Sequence, residues 1–358
     1  MDISAEIQKY RQEIKSERMD MSFGEIINMY RDKEIIISPE YQRAFRWDEQ
    51  RQSDFIESIL LGIPFPSIFV ATNPDGKWEL IDGLQRVSTV LSFFNELKDE
   101  EGNPYPKNGL KLVEGSMLKG LKDITIDTLP LEYKLQIKRT PCRVEIILKE
   151  SEFKMRYELF KRLNTGGEGL SRQEIRNCIF RGLDSRYSEF IAELAQNDIF
   201  REIVNISVSN EEKMYYEELV LRYLTLKNKG TRYPQANIQD YMDDYLESQC
   251  TEFDEVQMET DRVMFSNIMK ILEELKDENI FKLGKRYFTT SMYDAIMLSL
   301  SDSTVDLENV NINQLGEKIV ILKESEAFNK YVGSASSNPT SITNKVKIAK
   351  KVLLDITE

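Results

Sequence analysis

A chain of 358 residues with 41% hydrophobic content, 17 Phe and 16 Tyr carries enough apolar surface for one large or two ordinary domains. It contains no histidine, which excludes within these residues a His-Asn-His nuclease, a Ser-His-Asp hydrolase and the many zinc hydrolases that use an imidazole ligand. A net charge of −13 argues against a surface that grips any duplex, because non-specific DNA binding rests on Lys and Arg neutralising phosphates.

In chain order, the charged amphipathic opening "MDISAEIQKYRQEIKSE" predicts an N-terminal helix over residues 1–20 and lacks the apolar core of a secretory signal. No run approaches 18 uncharged apolar residues, so the expectation is a cytoplasmic protein with no membrane contact. A helix from Phe23 to Arg31 and a β-branched strand from Glu34 to Ser38 lead into the irregular, aromatic and basic segment "PEYQRAFRW". Asp48 is a good N-cap for a helix with Phe55, Ile56, Ile59 and Leu60 on one face, which Gly62 and Pro64 stop. "PSIFVA" and "KWELI" are strands of a hairpin whose turn is "NPDG". The pentad Asp82-Gly83-Leu84-Gln85-Arg86 then stands between the second strand and a helix from Val87 to Leu97.

Residues 101–135 are Gly/Pro-rich and predict an irregular insertion on one edge of the domain. A strand from Thr140 to Leu148 and a helix with Met155, Leu159, Phe160 and Leu163 on one face follow. After "NTGGEG", Ser171-Arg172-Gln173-Glu174 is a capping box that opens another helix. Beyond residue 184 the strand signals largely vanish, and six segments from "SEFIAELAQNDIF" to "NKVKIAKKVLLDI" have helical spacing. The pattern predicts an α+β fold, with an α/β domain over 21–184 and an all-helical domain over 185–358. Cys142, Cys178 and Cys250 are odd in number and far apart, as expected of buried free thiols.

The pentad is the first candidate for chemistry. The first N–H groups of a helix are unpaired, its dipole is positive there, and Gly83 lets a ligand approach the backbone, so an anion is favoured. Arg86 supplies a planar fork for phosphate or carboxylate, Gln85 orients a water or a base, and Asp82 holds Mg²⁺. The competing structural reading makes Asp82 the helix N-cap and Arg86 its salt-bridge partner. Gln42, Arg43, Arg46 and Trp47 form a second candidate, since guanidiniums take phosphates while aromatic faces stack bases. They fit an aromatic cluster with snorkelling arginines equally well. "NTGGEG" lacks the spacing and lysine of a P-loop, and is either an anion nest or a tight helix connection. Between Lys138 and Arg181 eleven Lys/Arg stand against six Asp/Glu, which is either a local basic surface or ordinary solvated helix faces. "PDGK" is a hairpin turn and not part of a metal-nuclease signature.

Taken together, "PEYQRAFRW", "GIPFPSIFV", "ELIDGLQRVSTVLSFF" and "FKRLNTGGEGLSRQEIRN" resemble, in order and spacing, the GmrSD-type restriction-endonuclease N-terminal domain, a ParB/sulfiredoxin-like fold of bacterial anti-phage defence. "YEELVLRYLTL" and "NIQDYMDDYL" are similar to the helical region that follows it, so the resemblance spans nearly the whole chain. It implies a nucleoside triphosphate (GTP, ATP or CTP) with Mg²⁺, and an Asp-Gly-Gln-Gln-Arg motif that is here Asp82 to Arg86. Asp82, Gln85 and Arg86 would be catalytic, with Asp82 on the metal. Gln42, Arg43, Arg46, Trp47, Gly83, Ser88, Thr89 and Asn164 would complete the nucleotide site. Arg43, Arg46, Lys161, Arg162, Arg172 and Arg176 would face DNA, modified phage DNA included.

Two departures qualify what the resemblance implies. Leu84 replaces the motif's first glutamine and removes two donors and an acceptor, which bears on hydrolysis more than on binding. A chain without histidine does not contain the family's nuclease, so a protein effector supplied in trans is expected, and a homo-oligomer is compatible. No cysteine lies near the pentad, which sets sulfiredoxin chemistry aside. Two other readings stand beside this one. The first is a nucleotide-independent DNA- or protein-binding module, for which Lys345, Lys347, Lys350 and Lys351 add basic surface; the second is a stand-alone carboxylate-metal nuclease.

Overall fold

The computed structural model describes residues 3–4, 6–8, 15–37, 45–73, 75–99, 102–148, 153–163, 170–181, 184–211, 213–234, 237–284, 287–333 and 336–354. The chain divides into two compact units, Met1–Cys178 and Ile179–Glu358. The division falls inside the helix Arg172–Arg181, a few residues before the expected 184/185.

The first unit is built on a five-stranded mixed sheet of order β1-β5-β3-β4-β2. Its strands are β1 (Ser16–Ser22), β2 (Ile35–Ile36), β3 (Ile68–Thr72), β4 (Trp78–Asp82) and β5 (Pro141–Ile147). Strand β5 lies antiparallel to β1 and parallel to β3, while β4 lies antiparallel to β3 and parallel to β2. The central strands are β-branched and apolar, and Val70, Leu80, Ile81, Val144 and Ile146 are buried. Helices α1 (Phe23–Arg31), α2 (Glu49–Leu61) and α3 (Leu84–Phe93) supply the rest of this core through Phe23, Ile26, Ile56, Ile59, Val87 and Leu91.

Strand β1 overturns part of the expected N-terminal helix. Described residues 3–4 and 6–8 are helical, but Ser16–Ser22 is an edge strand. Its charges fall opposite complementary ones on β5: Arg18 faces Glu145 at 2.8 Å and Asp20 faces Arg143 at 3.4 Å. Opposed charges on an exposed edge satisfy the same polar pattern that a helix face would.

The remaining expectations for this unit hold with small shifts. Asp48 caps α2 by accepting from the Arg51 amide at 2.8 Å, and Gly62 closes the helix at φ 70°. Gly76, at φ 85°, donates to the Asn73 carbonyl at 2.9 Å in the hairpin turn. The insertion is irregular up to α4 (Leu131–Arg139). It is fastened to α2 through Glu57, whose buried carboxylate accepts from Ser116 Oγ at 2.8 Å and from the Met117 amide at 2.9 Å, with Leu118 as a third donor. Helices α5 (Phe153–Leu163) and α6 (Arg172–Arg181) end the region.

In the second unit the expected segments are helical: α7 (Ser185–Ala195), α8 (Asp198–Val204), α9 (Tyr215–Lys229), α10 (Ile238–Thr251), α11 (Glu255–Glu274), α12 (Thr290–Leu300) and α14 (Pro339–Leu354). A further helix, α13 (Ile312–Glu324), and a two-stranded hairpin, Lys282–Leu283 with Tyr287–Phe288, were not foreseen; the unit is therefore mostly, not wholly, helical. Strands of two residues are too short to leave a periodic signal. The rings of Phe200, Tyr223, Phe265 and Tyr293 pack at its centre. Arg222 and Asp294 form a buried two-pronged ion pair there, both bonds at 2.6 Å. Lys345 is also buried, donating to Ser291 Oγ and the Ser336 carbonyl at 2.8 Å. The thiols of Cys142 and Cys250 are free and buried, and burial pushes them up to about 11 and about 12; the Cys178 side chain lies outside the described residues.

Candidate functional site

Strand β4 ends at Asp82, and Gly83 turns the chain into α3 at φ 96°. A Cβ here would lie 2.6 Å from Ile68 Cγ2, so both the backbone angle and the neighbouring strand require glycine. Helix α3 begins at Leu84, three residues earlier than expected, and no side chain caps it. Asp82 is therefore not the N-cap. Its Oδ2 accepts from Arg86 at 2.8 Å, which bears out the salt-bridge half of the structural reading.

Arg86 is a clamp in this conformation. Besides Asp82, it donates through Nη1 to the carbonyls of Pro66 and of Ser67, the latter at 3.0 Å, and so ties the entry of β3 to the start of α3. Its side chain is 12% exposed, against 30% for Asp82, so the carboxylate is the more accessible member of the pair.

Gln85 draws in the second candidate segment. Its Oε1 accepts from the backbone amides of Arg46 at 3.1 Å and Trp47 at 3.0 Å. Arg46 in turn donates through Nη2 to Glu174 at 2.7 Å, and the fully buried Glu174 also accepts from the Ser171 amide at 2.6 Å while Ser171 Oγ accepts from the Glu174 amide at 3.1 Å. The capping box thus closes as the sequence predicts. Three motifs far apart in the chain, "FRW", "DGLQR" and "SRQE", meet within one hydrogen-bonded set.

The other expected residues divide. Trp47 packs edge-on against Phe55 at 5.9 Å between ring centres, and its carbonyl accepts from Gln52 at 2.9 Å. Thr89 is buried, with Oγ1 donating to the Gln85 carbonyl at 2.7 Å. Ser88 is buried and its hydroxyl has no hydrogen-bond partner. Arg176 is fully buried and donates to Gln173 at 3.1 Å, while Arg172 donates to the Tyr157 hydroxyl at 3.3 Å. Lys161 and Arg162 lie 3.5 and 3.9 Å from Glu158, and Arg162 is well exposed. Gln42, Arg43 and Asn164, with the rest of "NTGGEG", lie outside the described residues.

Sequence reasoning missed Lys107. The turn Tyr105–Gly109 of the insertion brings its ammonium to the Phe45 carbonyl, 4.8 Å from the centre of the Phe45 ring. Burial lowers its proton affinity. A lone lysine between Pro106 and Asn108 gives no sequence signal of that placement. Among the described residues no group of three acidic, Cys or His side chains could hold a metal unaided, and no helix is long and apolar enough to cross a membrane.

The fold and the site define an α+β domain organised around an Asp-Gly strand-to-helix turn that an arginine and a glutamine brace from two sides. Residues 23–181 match the family described as the GmrSD restriction endonuclease, N-terminal domain. No curated protein and no solved structure matches the chain.

Proposed function

We propose that this domain binds a nucleoside triphosphate with Mg²⁺ at the turn between β4 and α3, and that binding controls a restriction response to foreign DNA. The observation that carries the reading is the start of α3: an uncapped helix N-terminus next to a partly exposed carboxylate, Asp82. The first amides of a helix favour phosphate oxygens, and Asp82 Oδ1 remains for a cation. Mg²⁺ needs few protein ligands when phosphates and waters complete its shell, so one aspartate suffices. The ion would neutralise charge on the phosphate chain.

The same geometry favours holding the nucleotide over turning it over. The Leu84 side chain is buried and offers no donor, and the Gln85 side-chain oxygen is committed to the Arg46 and Trp47 amides. Neither positions a water. A switch follows more directly than a fast NTPase, with DNA as the object of the response and cutting left to an effector in trans. The DNA part rests on the family's description and on the exposed Arg162, and against it stands the buried Arg176.

The test is a titration of ATP, GTP and CTP with Mg²⁺ onto the wild type, Asp82→Asn and Arg86→Ala, followed by phosphate release. We expect one nucleotide to bind with little turnover, and both variants to lose at least tenfold in affinity. No binding by folded wild-type protein would sink the reading.

A further inference from the structure

We propose that Lys107, carried by the insertion, is the residue that meets the ligand's phosphate oxygens at this site, an assignment that rests on the nucleotide reading above. Charge makes the argument. Arg86 faces Asp82 and Arg46 faces Glu174, so each guanidinium already has a carboxylate. Lys107 has none among the described residues: its contacts are the carbonyl and the ring of Phe45. An ammonium drawn partly out of water without a counter-ion is in an unfavourable state that an incoming anion relieves. In a chain of net charge −13, a cation at Phe45 with no carboxylate partner among the described residues is a local exception.

Its position is also fixed in advance. Ser92 on α3 donates through its hydroxyl to the Lys107 carbonyl, and the Gly109 amide donates to the Ser92 carbonyl at 3.2 Å. Asn108 accepts from the Leu97 amide at 3.1 Å and donates to the Leu97 carbonyl. The turn is thereby held on the helix whose first residues form the site. The Phe45 carbonyl that Lys107 contacts precedes the two amides bound by Gln85. A lysine is a compact point charge on a flexible stem, so its ammonium can exchange that carbonyl for a phosphate oxygen without moving the backbone. The insertion would then report occupancy of the site.

The test uses the full chain as wild type, Lys107→Met and Lys107→Arg, titrated with ATP, GTP and CTP plus Mg²⁺ and, in separate runs, with a short plain DNA duplex. Lys107→Met is expected to weaken nucleotide binding at least tenfold and Lys107→Arg to restore most of it. Wild-type affinity should fall as pH rises into the range where a lysine loses its proton, while the arginine variant stays flat. Unchanged nucleotide binding by Lys107→Met overturns the assignment and leaves the nucleotide reading standing. No nucleotide binding by wild type removes the nucleotide reading itself. Loss of duplex binding with nucleotide affinity intact overturns the assignment in favour of a DNA phosphate. If Lys107→Met melts early, the arginine variant and the pH profile decide.

Discussion

Gly83 carries two constraints that no other residue type meets together. Its backbone lies in the left-handed region and its missing Cβ leaves room for Ile68. Gly83→Ala should therefore lower stability by about 2–4 kcal/mol, from backbone strain plus displacement of a buried side chain. Urea unfolding checks this, and a loss below about 1 kcal/mol would mean that β3 yields more easily than its packing implies. Gln85 illustrates the same scale from another side. Its amide oxygen is a two-donor acceptor that holds a loop, so a residue picked out for catalysis acts first as a positioning group. The sequence marked the residue; only the fold revealed which atom is already occupied.

The insertion is the element whose role is least evident from composition. Gly/Pro-rich sequence predicts irregularity, yet the segment is anchored to α2 by Glu57 and brings Lys107 to the Phe45 carbonyl. The Glu57 carboxyl is held below its ordinary value: burial pushes it up, and donors from Leu118, Ser116 and Met117 outweigh that. A depressed folded value means that its stabilisation is present above the ordinary glutamate range and is lost as pH falls through the folded value. Glu57→Gln should cost about 1–3 kcal/mol through lost charge-assisted hydrogen bonds, and it should flatten the acid limb of the stability curve. Hydrogen exchange should place the loss of protection at residues 115–118. Protection that stays unchanged there would show that Gly115–Leu118 is held by other contacts.

Across the whole molecule, the missing histidine fixes the shape of stability against pH. No side chain has its ordinary proton affinity between about pH 5 and 8, so the curve should be nearly flat there. Above it, Lys345 takes over. Burial lowers it to about 8, below its ordinary 10.5, so the folded protein carries the full cost of the buried charge below about pH 8 and sheds it as pH rises. The Lys345 contribution should climb by roughly 2 kcal/mol between pH 7 and 9.5, and the buried thiols of Cys142 and Cys250, held above their ordinary 9.0, oppose it as pH nears that value. Tyr215 and Tyr245, held at about 12 by burial, oppose this only above their ordinary range. Thermal melts across this window should show wild type gaining stability relative to Lys345→Met. A stability difference between the two proteins that stays constant from pH 7 to 9.5 would contradict the buried placement of Lys345.

The sequence by itself determined the α+β class, most element positions, the Asp48 cap, the capping box at Ser171 and the family of residues 23–181, because caps, turns and periodicity are local and act within a few residues. It left β1 and the hairpin Lys282–Leu283 with Tyr287–Phe288 unread, since an edge strand with matched charges looks like a helix face until its partner is known. Tertiary structure alone decided that Gln85 holds Arg46 and Trp47, that Arg86 clamps Asp82 to the entry of β3, and that Lys107 reaches Phe45. Each of these contacts joins residues 19 or more positions apart or depends on which donors a neighbour has left free. Such pairings are set by packing and by the satisfaction of buried polar groups, and no short stretch of sequence records them.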